Sequence, residues 1–257
     1  MIISFAQLAA VLLIFARICG VFIEAPLFSS RTFPAQIKTA LAIWIALVLW
    51  FVVPVAKDIP LKPEIFLVCL VSEVVLGFLI GFVCNILFTA IQAAGEIMDL
   101  QMGLSVAQAL DPVFGATISV VGRLMFYVGL MMFITLNGHH MLLSGLHQSF
   151  VAIPAGAPLN IFSGKLTMQL LDLGKEMWLI AIQLSAPVVL IIFISDFTFG
   201  IVSRVAPQVN VFMLGFQVKP ALGLFALLLS APLLTKYIAN LVEKMGMEII
   251  KLVAILK

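Results

Sequence analysis

Apolar residues run along this chain in long blocks, and polar residues gather between the blocks. Blocks near the ~20 residues that a bilayer core requires read as membrane-length helices. There are about six, covering approximately residues 2–23, 36–55, 65–94, 118–136, 170–194 and 221–237. From 238 to 256, Glu243, Lys244, Glu248 and Lys251 interleave with Ile and Leu at helical spacing, which predicts a closing amphipathic helix. Breakers separate the blocks: Pro26 and Pro34, then Pro54, Pro60 and Pro63, then Asp111-Pro112, then Pro154, Gly156 and Pro158. With no low-complexity linker and no shift in composition, a single integral membrane domain is expected.

Composition narrows the class. The chain is 63% hydrophobic and 10% charged, with a mean hydropathy of +1.25, whereas soluble domains carry about 25% charged residues. A soluble protein this apolar would expose large sticky patches, so a membrane protein or the core of a membrane complex is indicated. A net charge of +2 without any basic run lacks the electrostatic footprint of a nucleic-acid binder. Cys19, Cys69 and Cys84 lie inside apolar blocks at no metal-ligand spacing and read as small buried hydrophobes. The first block has no basic leader region, no A-x-A-like cleavage site and a late Arg17, so it reads as a retained helix rather than a signal peptide. Arg31, Lys38, Arg123, Arg204 and Lys219 fall on one side of the implied topology. Lys57, Lys62, Lys165, Lys175 and the tail lysines fall on the other, a modest excess that leans toward the even connections and tail being cytoplasmic and leaves the orientation open.

Charges within apolar blocks carry more information. Arg17, Glu73 and Asp196 lie in or at the edge of candidate spans. A lone charge at the middle of a lipid-exposed helix costs at least ~2.5–3.5 kcal/mol, so each needs a partner or a wet interior. A structural ion pair at a subunit interface is preferred here over an ion pathway, because no acidic pair stands deep in one span. Glu96 and Asp99 are i,i+3 neighbours, but at the end of the third block. Gly77 and Gly81 make a G-x-x-x-G spacing that lets helix backbones approach, within the chain or across an interface. Residues 93–115 are too polar for lipid and too apolar for free water, which leaves a re-entrant packing loop or a constriction. His139, His140 and His147 have no cysteine or carboxylate at ligand spacing and read as interfacial polar residues. No nucleophile triad, P-loop, dinucleotide fingerprint or H-E-x-x-H motif is present, so no enzyme and no cofactor is expected.

The remaining stretch, 196–219, mixes Asp196, Arg204, Pro207, Gln208, Asn210 and Lys219 with aromatics and glycines between two apolar blocks. So many hydrogen-bonding groups near a bilayer must pack against other protein. With this stretch the chain resembles the FliR family, the export-gate membrane proteins of flagellar-type III secretion. The resemblance rests on Arg17-x-x-Gly20 with Pro26, Pro34 and Lys38, on Glu73-x-x-x-Gly77-x-x-x-Gly81-Phe82, and on Gln92-x-Ala94-Gly95-x-x-x-Asp99-x-Gln101-x-Gly103. It continues through Asp111-Pro112 and Asn137-Gly138-His139 to Arg204-x-x-Pro207-Gln208-x-Asn210-Val211-Phe212-x-x-Gly215-Phe216-x-x-Lys219. Gln217 departs from the family, which has proline there.

The resemblance implies an all-α polytopic protein of about six long kinked helices. Residues 1–190 would be a FliP-like part and 191–257 a FliQ-like helical hairpin. It implies a non-enzymatic subunit of a gate that passes unfolded export substrates across the bacterial inner membrane at the flagellar basal body. Partners would be FliP- and FliQ-family membrane subunits and FlhB- and FlhA-type export proteins, with no nucleic acid. It also implies a pore plug over Gln101, Met102, Gly103, Leu104, Ser105, Val106, Ala107, Gln108, Ala109, Leu110, Asp111, Pro112, Val113, Phe114 and Gly115. Assembly contacts would fall to Arg17, Glu73, Gly77, Gly81, Asp99, Asp196, Arg204, Pro207, Gln208, Asn210 and Lys219. An equivalent subunit of a virulence injectisome is the alternative. An ion-coupled small-molecule transporter is less favoured: it would need an inverted repeat, and Glu73 has no acidic counterpart in 221–237.

Overall fold

A computed structural model describes residues 5–29, 34–55, 62–105, 119–158 and 164–256. Helices make up nearly all of it: α1 (Phe5–Glu24), α2 (Pro26–Ser29), α3 (Ala35–Trp50), α4 (Pro63–Met102), α5 (Val120–Thr135), α6 (Gly138–Ala152), α7 (Gly164–Val205) and α8 (Val211–Leu256). Among the described residues there is no strand, only an isolated parallel bridge between Val55 and Ala155. Where they are described, all six apolar blocks are helical over most of their length. Helices α1, α4, α7 and α8 are long and apolar enough to cross a membrane, α5 with α6 would make a fifth span, and α3 is a shorter apolar helix.

Local chemistry explains the boundaries. Pro26 disfavours helix at Ala25 and ends α1. Pro63 occupies the first position of α4, with Glu64 in the first turn facing the helix dipole. Gly103, at φ +80, stops α4 in the left-handed conformation that helix ends favour. The Ser119 hydroxyl accepts the Gly122 N–H at 2.8 Å and caps α5. Asn137, at φ 58, separates α5 from α6. Asn210 begins α8 by accepting the Met213 N–H at its side-chain oxygen, 3.2 Å away.

Three boundaries differ from the sequence reading. α4 does not end at residue 94, where the third block stops, but continues through Gly95 to Met102. That glycine is there for close packing, since a Cβ on it would lie 2.6 Å from the Cα of Gly122. Nor is 196–219 a long connection: α7 runs to Val205 and only residues 206–210 form the turn, because nothing before Pro207 breaks the helix. The amphipathic tail is the continuation of α8, which crosses 237–238 without a break and carries Pro220 and Pro232 inside it. Pro187 lies inside α7.

The chain divides into two compact units. Unit 1 comprises residues 1–87, 134–174 and 242–257; unit 2 comprises 88–133 and 175–241. Unit 1 buries Leu13, Ile14, Ile18, Leu76, Ile80, Leu142, Leu146 and Phe150. Unit 2 buries Met98, Met102, Met125, Leu184 and Val188. Its aromatic cluster centres on Phe88, whose ring meets Phe126 and Phe133 edge-on at 5.9 and 5.5 Å.

Candidate functional site

Unit 1 contains a sealed polar node. Arg17, on α1, is fully buried, and Glu73, on α4, is 1% exposed. The Arg17 Nε donates to Glu73 Oε2 at 2.5 Å, Nη1 to Ser149 Oγ at 3.1 Å and Nη2 to the Ile153 carbonyl at 3.0 Å. Its guanidinium also lies over the Phe150 ring, 3.9 Å from the centre, a cation–π contact. The other Glu73 oxygen accepts the Gly156 N–H at 2.8 Å. The two charges thus compensate each other and are hydrogen-bonded on several sides, as burial demands. Sequence reasoning recognised that both needed partners but missed Ser149, Ile153 and Gly156, whose contributions are an ordinary hydroxyl and two backbone groups.

The same helices cross closely. A Cβ on Gly77 would collide with the Arg17 carbonyl, one on Gly20 with the Val74 carbonyl, and one on Gly81 would lie 2.7 Å from the Val21 carbonyl. Gly77 and Gly81 therefore pack α4 against α1 within the chain. Gly20 is the third glycine of this crossing, and the spacing argument did not single it out.

Unit 2 holds the second constellation. Lys219 Nζ lies 2.5 Å from Asp196 Oδ1 and ties the start of α8 to the end of α7. This pair is open, with side chains 26% and 43% exposed. Arg204, Pro207, Gln208 and Asn210 at the turn are exposed, and so are Phe193, Phe197, Val205 and Phe212. Beside the pair is a cleft of about 560 Å³ lined by Leu100, Gln101 and Gly103 of the α4 end and by Phe199, Gly200, Phe212 and Phe216. Asp99 is buried, and its Oδ2 accepts the Val120 N–H at 3.2 Å, a carboxylate at the start of α5 that complements the helix dipole.

The first plug residues can be placed. Gln101 and Met102 end α4, Gly103 follows, and Leu104 and Ser105 are half-buried. Met102 is fully buried, its side chain against Gly223. Val106, Ala107, Gln108, Ala109, Leu110, Asp111, Pro112, Val113, Phe114 and Gly115 lie outside the described residues. The His139 and His140 rings lie 4.4 Å apart, tilted by 40°, near the start of α6. Among the described residues no cluster of His, Cys, Asp and Glu could hold a metal ion.

A buried structural ion pair and apolar spans define the class: an all-helical polytopic membrane protein. Comparison with known proteins makes this specific. Residues 8–245 match the family described as Bacterial export proteins, family 1, and the chain belongs to that family, the one represented by the flagellar biosynthetic protein FliR. It is 30% identical to FliR of Bacillus subtilis over 90% of this chain and 89% of that protein. It is 31% identical to FliR of Escherichia coli over 88% and 85%. Yop proteins translocation protein T of Yersinia pestis is 33% identical over 59% of this chain and 58% of that protein.

Proposed function

We propose that this chain is a non-enzymatic subunit of a type III protein export gate, part of the pore through which unfolded flagellar proteins cross the bacterial inner membrane at the basal body. The observation that carries the reading is the family match over residues 8–245, nearly the whole chain. The exposed apolar and polar surface around the α7–α8 turn supports it, because such a surface suits burial against other subunits. FliP- and FliQ-type membrane subunits and FlhB- and FlhA-type export proteins are the proposed partners.

In this reading Asp196, Arg204, Pro207, Gln208, Asn210 and Lys219 meet partners directly. Arg17, Glu73, Gly77, Gly81 and Asp99 serve assembly indirectly, by fixing the shape of the subunit. The segment 101–115 obstructs the pore at rest, and the lining of the cleft by Gln101 and Gly103 gives its start a defined setting. The division into a FliP-like 1–190 and a FliQ-like 191–257 is one of chain ancestry, distinct from the interleaved compact units.

The test is co-purification from membranes together with export. A large heteromeric assembly and loss of flagellar protein export on deletion of the gene support the reading; an isolated monomer that binds a small solute overturns it. Deleting 105–111 should let ions leak through an assembled gate, and unchanged conductance with the complex intact removes the plug. The similarity to the Yersinia protein favours an injectisome as the second reading. Loss of effector secretion with flagellar export unchanged would select it.

A further inference from the structure

Two inter-helix connections of unit 1 meet where the buried ion pair lies. Val55, after α3, pairs through its backbone with Ala155, after α6. Around Ala155, three anchors lead to the Arg17–Glu73 node. The Ile153 carbonyl accepts from Arg17, the Gly156 N–H donates to Glu73, and Ser149, in the last turn of α6, accepts from Arg17. The Cys69 thiol faces the Gly156 carbonyl at 4.0 Å. Gly156 has φ +86, a conformation that glycine adopts without strain and other residues rarely do.

We infer that the Arg17–Glu73 pair is a backbone clamp: it holds the Ile153–Gly156 turn and, through the bridge at Ala155, fixes the Val55 connection against it. An ion-conducting role would leave the charges reachable by water. Here both are sealed, and beyond each other and the Ser149 hydroxyl the charged groups spend their hydrogen bonds on backbone atoms of a single turn. The clamp also explains why a polar node is retained among apolar helices. A single bridge between two connections has no ladder to support it, so its position must be set from outside. Charge-assisted bonds to the backbone do this more strongly than neutral ones.

The test uses full-length protein in membranes, with Cys19, Cys69 and Cys84 replaced by Ala and with Val55→Cys and Ala155→Cys introduced. Bridged backbones stand about 4.8 Å apart, within the roughly 4.4–6.8 Å window for a disulfide. The cross-link should form readily in this background. Arg17→Met should slow it about tenfold, the effect of losing hydrogen bonds to a charged group. Ser149→Ala, which removes one bond of the node, should slow it about two- to threefold. Where Arg17→Met depletes the protein, Glu73→Gln, of nearly the same shape, carries the test with the same direction. Equal cross-linking rates in all variants overturn the clamp. So does unchanged cross-linking with altered conductance of the assembled complex, which would assign the pair to ion passage.

Discussion

The Arg17–Glu73 pair of unit 1 and the Asp196–Lys219 pair of unit 2 each join two helices at 2.5 Å, in opposite surroundings. The first is closed to solvent and bonded further to a hydroxyl, a carbonyl and an amide. The second is partly open and stands beside a cleft, next to exposed aromatic rings. Burial makes the first pair indispensable to its own fold, because removing one partner strands a charge without water. Exposure makes the second nearly neutral for folding, which leaves its groups available for contact with another chain. The glycines show the same contrast. Gly20 and Gly77 have no room for a methyl group, whereas a Cβ on Gly200 meets nothing within 4 Å.

The largest expected effect is on the sealed pair. Arg17→Leu alone should destabilise the protein by about 3–5 kcal/mol, read as loss of folded protein from membranes and a lower Tm in detergent. Adding Glu73→Leu should restore most of it, since the double variant strands no charge. Equal damage from the single and double variants would mean that geometry, not charge, dominates the node. Next, Gly77→Ala should cost about 1–3 kcal/mol by forcing the α1 and α4 backbones apart, measured by the same melting. Asp196→Ala should change stability by less than about 1 kcal/mol while lowering recovery of a heteromeric assembly on pull-down. A loss of stability as large as that of Arg17→Leu would break the comparison. Smallest, Gly200→Ala should stabilise the chain by about 0.5–1 kcal/mol, because alanine is the better helix former and no neighbour is displaced.

The helical blocks were legible because a bilayer imposes a length and a polarity that composition cannot hide. The need of Arg17 and Glu73 for partners was legible for the same reason. Their choice of each other was not, because they lie 56 positions apart and nothing local encodes the meeting of α1 with α4. The length of α4 beyond residue 94 was not legible for a related reason: Gly95 marks a helix end and a close helix contact equally well, and only the position of Gly122 decides between them. The turn at 206–210 is narrower than the polar stretch 196–219 suggests, because Asp196 and Arg204 sit comfortably in a helix that ends in a basic turn. Ser149 and the backbone groups of Ile153 and Gly156 carry no sequence signal at all; they become functional only by position.

Pro187, Pro220 and Pro232 all belong to unit 2, inside α7 and α8. Each withholds an N–H, so the carbonyls of Gln183, Phe216 and Leu228 lose their usual helical donors. Mechanically, such points are compliant: a helix bends most readily where its ladder lacks a rung. A load applied to the hairpin would therefore be absorbed at three fixed places along its length rather than spread evenly, giving these two helices the character of jointed levers instead of uniform rods.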